Sequence, residues 1–124
     1  MVVLWIYTAF EYIKQNGGLA AESNYPYQEQ DGICDQRTAT AAQITGFQDV
    51  TRNDEQALKN VVSRQPVSVI IAAGGDFQNY GGGIFKGYCG DSLNHALFLL
   101  LDKNGMDYWL IKNSWGQTWV RMAT

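Results

Sequence analysis

The sequence predicts an α+β fold in which helices come mainly before a predominantly antiparallel β module. Three patterns lead to this class. Apolar residues keep a helical spacing over residues 3–15, a short apolar run follows Pro66, and two further apolar runs flank Asn104-Gly105. Because helical and extended patterns do not alternate regularly along the chain, a parallel α/β sheet is disfavoured.

The first helix is predicted over residues 3–15. Lys14 in its last turn and Gly17-Gly18 after it are typical signals for the end of a helix. Between residues 19 and 40 there is little periodicity, and turn-forming residues at 24–27 and 31–32 indicate an ordered, aromatic-rich loop.

A second helix is predicted to begin at Asn53, which can cap it, with Gln56 three residues later as the partner of a capping box. Its apolar stripe consists of Leu58, Val61 and Val62. Pro66 is expected to end this helix, and Val67–Ala72 is the first strand candidate of the β module.

The second half of the chain combines a glycine-rich segment with a hairpin. Glycines at 74–75 and 81–83 frame Phe77 and Tyr80 and permit tight backbone turns. Residues 96–101 and 107–112 read as two strands joined by a tight turn at Asn104-Gly105, and 118–122 as a last short strand. No internal repeat or linker appears, so residues 1–124 are expected to belong to a single domain or part of one.

Composition excludes several classes of function. The 124 residues carry 9 basic and 12 acidic side chains without a basic run, which disfavours nucleic-acid binding. Apolar runs such as Ala96–Leu101 are far too short to span a bilayer, and the apolar start lacks the basic region of a signal peptide. One histidine and two cysteines cannot form a closed Cys/His zinc site, so no metal or other cofactor is expected.

The candidate site combines His95, the only histidine, with Asn113. His95 precedes one strand of the predicted hairpin and Asn113 ends the other, so both fall near its open end. An asparagine oxygen that accepts one ring N–H would fix the imidazole tautomer and leave the other nitrogen free as a base. Trp115 could shield that bond from water. On spacing alone, a solvated strand-end histidine beside an ordinary core tryptophan is the favoured interpretation.

Several separated blocks move the interpretation towards a known family. Four segments together resemble the papain-like cysteine proteases of the plant type, from about Thr8 to Trp115: AFEYIKQNGGLAAESNYPY, QPVSVIIAAGGDFQNYGGGIFKGYCG, LNHA and DYWLIKNSWG. The resemblance implies a peptidase without a cofactor that acts on peptides or proteins in an extracellular, vacuolar or lysosomal compartment. It also implies that residues 39–124 form the antiparallel, barrel-like β module of the right-hand half of this fold, and that the helix in 1–18 belongs to the neighbouring half.

The resemblance assigns roles residue by residue. His95 corresponds to the catalytic base, Asn113 to the side chain that orients it, and Trp115 to the ring that covers the pair. Residues implied to surround the pocket that selects the substrate side chain are Ile70, Asn94 and Ala96.

The nucleophile of this family lies in a CGSCW-like segment upstream of the histidine, with a glutamine a few residues before it. Neither segment occurs in these 124 residues. By resemblance, Cys34 and Cys89 occupy positions of structural disulfides whose partners lie in segments that are absent here. We therefore expect that they do not pair with each other and that neither is the nucleophile.

Three functional hypotheses follow. The chain supplies the His/Asn half of an endopeptidase whose other half comes from a second chain; or it is an inactive homologue that binds peptides or proteins around Ile70, Ala96 and His95; or it self-associates. The second chain could instead cover exposed strand edges, since FLLL and QTWVRMAT depart from the pattern of the family and would leave a barrel incomplete.

Overall fold

The structure is a computed structural model that describes residues 2–35, 39–100, 108–116 and 119. The described elements are, in chain order, α1 (Val2–Gln15), β1 (Leu19–Ala20), β2 (Thr40–Ala42), α2 (Glu55–Val62), β3 (Val67–Ile71), a 3₁₀ turn (Gly75–Phe77), β4 (His95–Leu100) and β5 (Leu110–Lys112). The α+β class is confirmed. The described residues fall into two compact units, one of residues 5–48 and one that begins at Asp49.

The unit of residues 5–48 contains most of α1 and a small two-stranded sheet. The helix predicted over residues 3–15 is confirmed, and it ends where Gly17 adopts a φ of 75° and Gly18 N–H bonds Ile13 O at 2.8 Å. The next strand, β1, pairs antiparallel with β2, and the sequence did not predict this pairing. Gly18 makes that pairing possible, since a Cβ there would collide with Thr40 Cγ2 and Ala42 O.

Helix α2 begins one residue later than predicted, so the assignment of its cap to Asn53 is wrong. Asp54 is the N-cap, with extended backbone angles and a carboxylate oxygen that accepts the Ala57 N–H at 2.8 Å. Asn53 instead lies at a φ of 57°, in the left-handed region that asparagine tolerates. The helix ends at Val62, before Pro66, and its C-cap Ser63 N–H bonds Lys59 O at 3.0 Å.

The second unit is built on a three-stranded sheet in the order β3-β4-β5, with both pairs antiparallel. Adjacent pairing of β4 with β5 agrees with the predicted hairpin, whereas its Asn104-Gly105 turn lies outside the described residues. The strand predicted at 118–122 also lies outside them, except for Trp119. Within the described residues the two-stranded and three-stranded sheets are separate. The expectation of a barrel-like closure is therefore not met there.

The core of the second unit lies on one face of this sheet. Its buried side chains are Val62, Ala72, Ala73, Phe77, Leu97 and Leu99. Strand alternation puts Phe98 on the opposite face, where 47% of it is exposed, and Leu110 lies there too. None of the described helices is long and apolar enough to cross a membrane.

Candidate active site

A hydrogen bond joins His95 to Asn113. His95 Nε2 and Asn113 Oδ1 lie 2.8 Å apart, and both side chains are half-buried. His95 is the first residue of β4, and Asn113 follows directly after β5. The structure thus brings together the two residues that sequence reasoning placed at the open end of the hairpin.

Strand register explains why these two side chains meet. Phe98 pairs with Lys112 and Leu99 with Ile111. Continuing that register past β5 would set Trp115 opposite His95 and Asn113 one diagonal step away, on the same face of the sheet. Neighbouring strands therefore place the pair directly, without any long loop.

The tautomer of His95 follows from the partners of Asn113. Ser114 N–H lies 2.7 Å from Asn113 Oδ1, and a backbone N–H requires an acceptor. This contact identifies the atom as the amide oxygen. Because an oxygen can only accept, Nε2 of the neutral ring must carry the proton that it shares with Asn113. Nδ1 then keeps its lone pair and is the nitrogen that can act as a base.

The oxygen and the nitrogen of the Asn113 side-chain amide differ in their hydrogen bonding. Its oxygen accepts two hydrogen bonds, while its Nδ2 is buried and finds no partner among the residues that the structure describes. A buried amide nitrogen without a partner carries a desolvation cost. The orientation of the amide is therefore set by the two donors that its oxygen receives.

Trp115 covers one face of the imidazole. The ring centroids of His95 and Trp115 are 4.7 Å apart at an interplanar angle of 31°. Behind Trp115 stand Phe77 at 5.8 Å and Trp119 at 4.8 Å, both in edge-on arrangements. Edge-to-face packing of this kind is favourable, and it fixes the plane that faces His95.

Two of the three predicted pocket residues lie on the face of the sheet opposite His95. Ile70 and Ala96 are direct cross-strand partners in the β3–β4 ladder, so they share one face of the sheet. Ile71 is the partner of His95, which places His95 on the other face. Ile70 and Ala96 thus lie at the same end of the sheet as His95, where β3 stops and β4 begins, but on the opposite face.

The Asn94 side chain forms a hydrogen bond with the main chain. Its Oδ1 accepts the N–H of Ala73 at 2.8 Å, and its own N–H bonds Ile71 O at 3.0 Å. These two bonds fasten the residue before His95 to the end of β3. In this structure the Asn94 side chain therefore anchors the approach to the site.

Both cysteines are free and exposed. Cys89 Sγ lies 3.9 Å from Gly87 O, within the loop that precedes β4. Cys34 Sγ lies 3.9 Å from the hydroxyl of Tyr12, and this hydrogen bond raises the pKa of Tyr12 above its ordinary value. Cys89 thus has a partner in its own loop, and Cys34 has one on helix α1.

Sequence reasoning missed three contributors to the site: the Ser114 N–H, Phe77 and Trp119. The Ser114 donor is a backbone N–H, which almost every residue has, so the sequence does not reveal it. Phe77 was noted only as framed by glycines, although it is 6% exposed and supports Trp115. Trp119 was placed in a last strand, and its aromatic character beside Trp115 was the available signal.

The arrangement presents one basic nitrogen with a fixed tautomer beneath an indole. Such an imidazole can accept a proton from a thiol or water and can later return it to a leaving group. Among the described residues, no three His, Cys, Asp or Glu side chains come together as a metal site.

Comparison with known proteins relates this chain to one family. The sequence profile described as papain family cysteine protease matches residues 4–123. The chain is 51% identical over 118 residues to a senescence-specific cysteine protease of Arabidopsis thaliana, covering 90% of this chain and 34% of that protein. It is 42% identical over 128 residues to fruit bromelain of Ananas comosus, covering 96% of this chain and 36% of that protein.

A solved structure gives the same result for the fold. The bromelain protease from Ananas comosus, determined in complex with the E64 inhibitor, superposes with a TM-score of 0.82 at 43% identity. The match covers 90% of this chain and 54% of that one. The chain thus spans about a third of the length of the curated relatives and about half of the solved chain.

Proposed function

The chain belongs to the papain family of cysteine proteases, and from this premise we propose that it supplies the base-and-amide half of a cysteine endopeptidase. In this proposal His95 is the general base, Asn113 holds it, and Trp115 excludes water from their bond. The nucleophilic cysteine comes from a segment outside these 124 residues, and they are inactive by themselves.

The His95–Asn113 hydrogen bond carries the proposal. At 2.8 Å, with the amide oxygen identified by Ser114, it leaves Nδ1 as the free base. An ordinary surface histidine needs neither a fixed tautomer nor an aromatic cover. These contacts support the roles that the family resemblance assigns to the three side chains.

The chemistry follows from that geometry. His95 Nδ1 takes the proton of the cysteine thiol, and the thiolate attacks the carbonyl carbon of a peptide bond, forming a C–S bond. The C–N bond then breaks as His95 gives the proton to the leaving amine. Water, deprotonated by the same nitrogen, then attacks the acyl carbon and forms a C–O bond. The C–S bond breaks, the carboxylic acid product leaves, and His95 returns the proton to the thiolate. Asn113 stabilises the imidazolium and keeps the ring oriented.

Helix α1 is the surface where we expect the missing half to pack. Trp5 is 69% exposed, Tyr7 59% and Tyr12 44%. Large aromatic side chains exposed together along one helix are typical of an interaction surface. The matched solved chain is nearly twice as long as the aligned part, so a segment that could cover α1 exists in the family.

Peptide hydrolysis tests the proposal. The purified chain, assayed with a fluorogenic dipeptide under reducing conditions, should show no turnover sensitive to a thiol-directed epoxide. Adding a chain that carries a CGSCW-like segment and its upstream glutamine should restore turnover. His95→Ala should then lower the rate by roughly 10²–10⁴-fold, and Asn113→Ala should lower it less because it only orients the base.

One variant separates this proposal from a relocated nucleophile. Cys34→Ser should leave the restored activity unchanged, because its thiol pairs with Tyr12. Robust hydrolysis by the chain alone, abolished by the epoxide and by Cys34→Ser, would overturn the proposal.

A second candidate is a binding module without catalysis. It is favoured by the sequence, since neither Cys34 nor Cys89 stands in a CGSCW-like segment. Ile70 and Ala96, paired across β3 and β4, would then contact an apolar side chain of a peptide or protein. Fluorescence anisotropy with labelled peptides, comparing the wild type with Ala96→Trp, tests this candidate; equal binding by both would reject a site at this pair.

A third candidate is self-association through the exposed sheet face. Phe98 is 47% and Leu110 38% exposed, and both lie on the face opposite the core. Sedimentation of the wild type and of Phe98→Lys over a concentration series tests it. A monomer at all concentrations in both would exclude this candidate.

We expect an extracellular, vacuolar or lysosomal location, because plant proteases of this family are generally secreted or vacuolar. Immunodetection in fractionated tissue tests this expectation. Recovery of the protein only in the cytosolic fraction would contradict it.

A further inference from the structure

Gln78 is fixed more firmly than an exposed glutamine requires. It follows the 3₁₀ turn, and its backbone N–H bonds Gly75 O at 3.2 Å. Its side-chain Nε2 donates to Ala73 O at 3.1 Å. An exposed amide gains little net stability from a bond that water could replace. The consequence of this bond is therefore mainly geometric: it fixes the turn relative to the end of β3.

The carbonyl of Gln78 holds Trp119. Trp119 Nε1 donates to Gln78 O at 3.1 Å, and the Trp119 backbone N–H bonds Gly116 O at 3.5 Å. The indole of Trp119 meets Trp115 edge-on, with centroids 4.8 Å apart and an interplanar angle of 85°. Trp115 in turn lies over His95. One path of contacts therefore leads from Gln78 to the imidazole.

A second path reaches His95 from the other side. Ala73, whose carbonyl accepts the Gln78 side chain, donates its own N–H to Asn94 Oδ1 at 2.8 Å. Asn94 is the residue before His95. The two paths form a closed ring of contacts through Gln78, Trp119, Trp115, His95, Asn94 and Ala73, which we call the glutamine ring.

We infer that Gln78 is a positioning residue that sets the angle at which Trp115 covers His95. It acts through Trp119 and through Ala73, and it touches neither nitrogen of the imidazole. A role for Gln78 in hydrolysis rests on the proposed function. The position of Trp115 over His95 does not depend on the proposed function, because the contacts that set it lie within this chain.

The sole histidine makes the test direct, since its ring protons give unambiguous NMR signals. Trp115 lies over the ring at 4.7 Å, so its ring current should move these signals upfield of a free imidazole. Gln78→Met keeps the length of the side chain and removes the donor. Trp119→Phe keeps an aromatic ring and removes the N–H. Both variants should move the His95 ring signals downfield, and Gln78→Glu should do so more, because its carboxylate would repel Ala73 O.

Gln56→Met is the matched control. Gln56 is also an exposed glutamine of this unit, and its Nε2 bonds Asn60 Oδ1 at 3.2 Å on α2, outside the glutamine ring. This variant should leave the His95 signals unchanged. Amide spectra of each variant confirm that the chain is folded before the ring signals are compared.

Each other outcome contradicts the inference. Unchanged His95 signals in folded Gln78→Met and Trp119→Phe would overturn it. A shift in Trp119→Phe alone would remove the role of the Gln78 side chain, and an equal shift in Gln56→Met would show a nonspecific effect. Absence of hydrolysis in the reconstituted enzyme, together with the expected His95 shifts, would refute the proposed function and leave the glutamine ring standing.

Discussion

The two compact units of this chain differ in how completely they bury their own side chains. Among its described residues, the unit that begins at Asp49 has a core of six buried apolar residues, and its site residues are joined by hydrogen bonds and ring contacts. In residues 5–48, Gly18 is the only buried residue among those whose burial the structure describes. There, Trp5, Tyr27 and Ile33 are at least two-thirds exposed.

This difference shows which contacts position each region. His95, Asn113 and Trp115 are placed by register within one sheet and by rings that stand next to them. Helix α1 has a defined length and end, and Tyr7 and Phe10 contact Phe47 within the same unit. Trp5, Tyr7 and Tyr12 nevertheless remain exposed among the residues that the structure describes. The base half of the site can therefore form from local contacts, whereas residues 5–48 are suited to packing against further protein.

The largest expected effect is on the core beneath the site. Phe77 is 6% exposed and contacts Trp115, Trp119 and Phe85. Phe77→Ala should lower the free energy of unfolding by about 3–5 kcal/mol and release the stack on His95, as measured by urea denaturation and tryptophan fluorescence. Tyr88→Ala, at a side chain 79% exposed, is the control and should change stability by less than about 0.5 kcal/mol. Similar values for both variants would contradict the assignment of the core.

A smaller effect is expected at Gly18 in the other unit. Its φ is 138°, and a Cβ would collide with Thr40 and with the carbonyl of Ala42. Gly18→Ala should cost about 2 kcal/mol and speed amide exchange in β1 and β2. Gly17→Ala is the control for a positive φ without a collision, since no atom lies within 4 Å of a Cβ there.

Gly18→Ala also sharpens the comparison between the units. If the His95 site forms from local contacts, its ring signals should stay at their wild-type positions in this variant. Loss of those signals together with the β1–β2 amides would show that the two units depend on each other for folding.

The cap of α2 should contribute about 1 kcal/mol. Asp54→Ala removes the acceptor of the Ala57 N–H and should lower the midpoint of urea denaturation. Asp54→Asn retains an acceptor and should recover most of the loss. Asn53→Gly should have almost no effect, because glycine tolerates the φ of 57° at that position. A larger loss of stability in Asn53→Gly than in Asp54→Ala would show that Asn53 is the N-cap.

The smallest effect is expected at the cysteines. Both thiols are exposed and free, so the double variant Cys34→Ser, Cys89→Ser should change stability by less than about 0.5 kcal/mol. Thiol titration of the denatured wild type should find two reactive groups. A peptide map of a monomer with Cys34 linked to Cys89 would contradict this expectation.

Much of the second unit could be predicted because its signals are local. The apolar runs after Pro66 and beside Asn104-Gly105 identified β3, β4 and the pairing of β4 with β5, and the unique His95 beside a strand end identified the site. The cap of α2 was misassigned because Asn53 and Asp54 are both good caps, and only backbone angles distinguish them. The pairing of β1 with β2 was missed because two- and three-residue strands carry no periodicity.

Other features depend on atoms that a sequence pattern does not encode. The Ser114 N–H that fixes the amide of Asn113, and the Gln78 carbonyl that holds Trp119, are backbone groups. Ile70 and Ala96 were placed near His95 by resemblance, but the alternation that separates their face from that of His95 appears only once the register is known.

The tautomer of His95 tests the central claim most directly. In a ¹⁵N side-chain spectrum of the wild type with the ring neutral, Nε2 should be protonated and Nδ1 should carry the lone pair, because Nε2 donates to Asn113 Oδ1. Asn113→Ala should abolish the preference imposed by this bond and leave the two tautomers in the proportions of a free imidazole. A wild-type ring protonated mainly at Nδ1, or an unchanged tautomer in Asn113→Ala, would contradict the account.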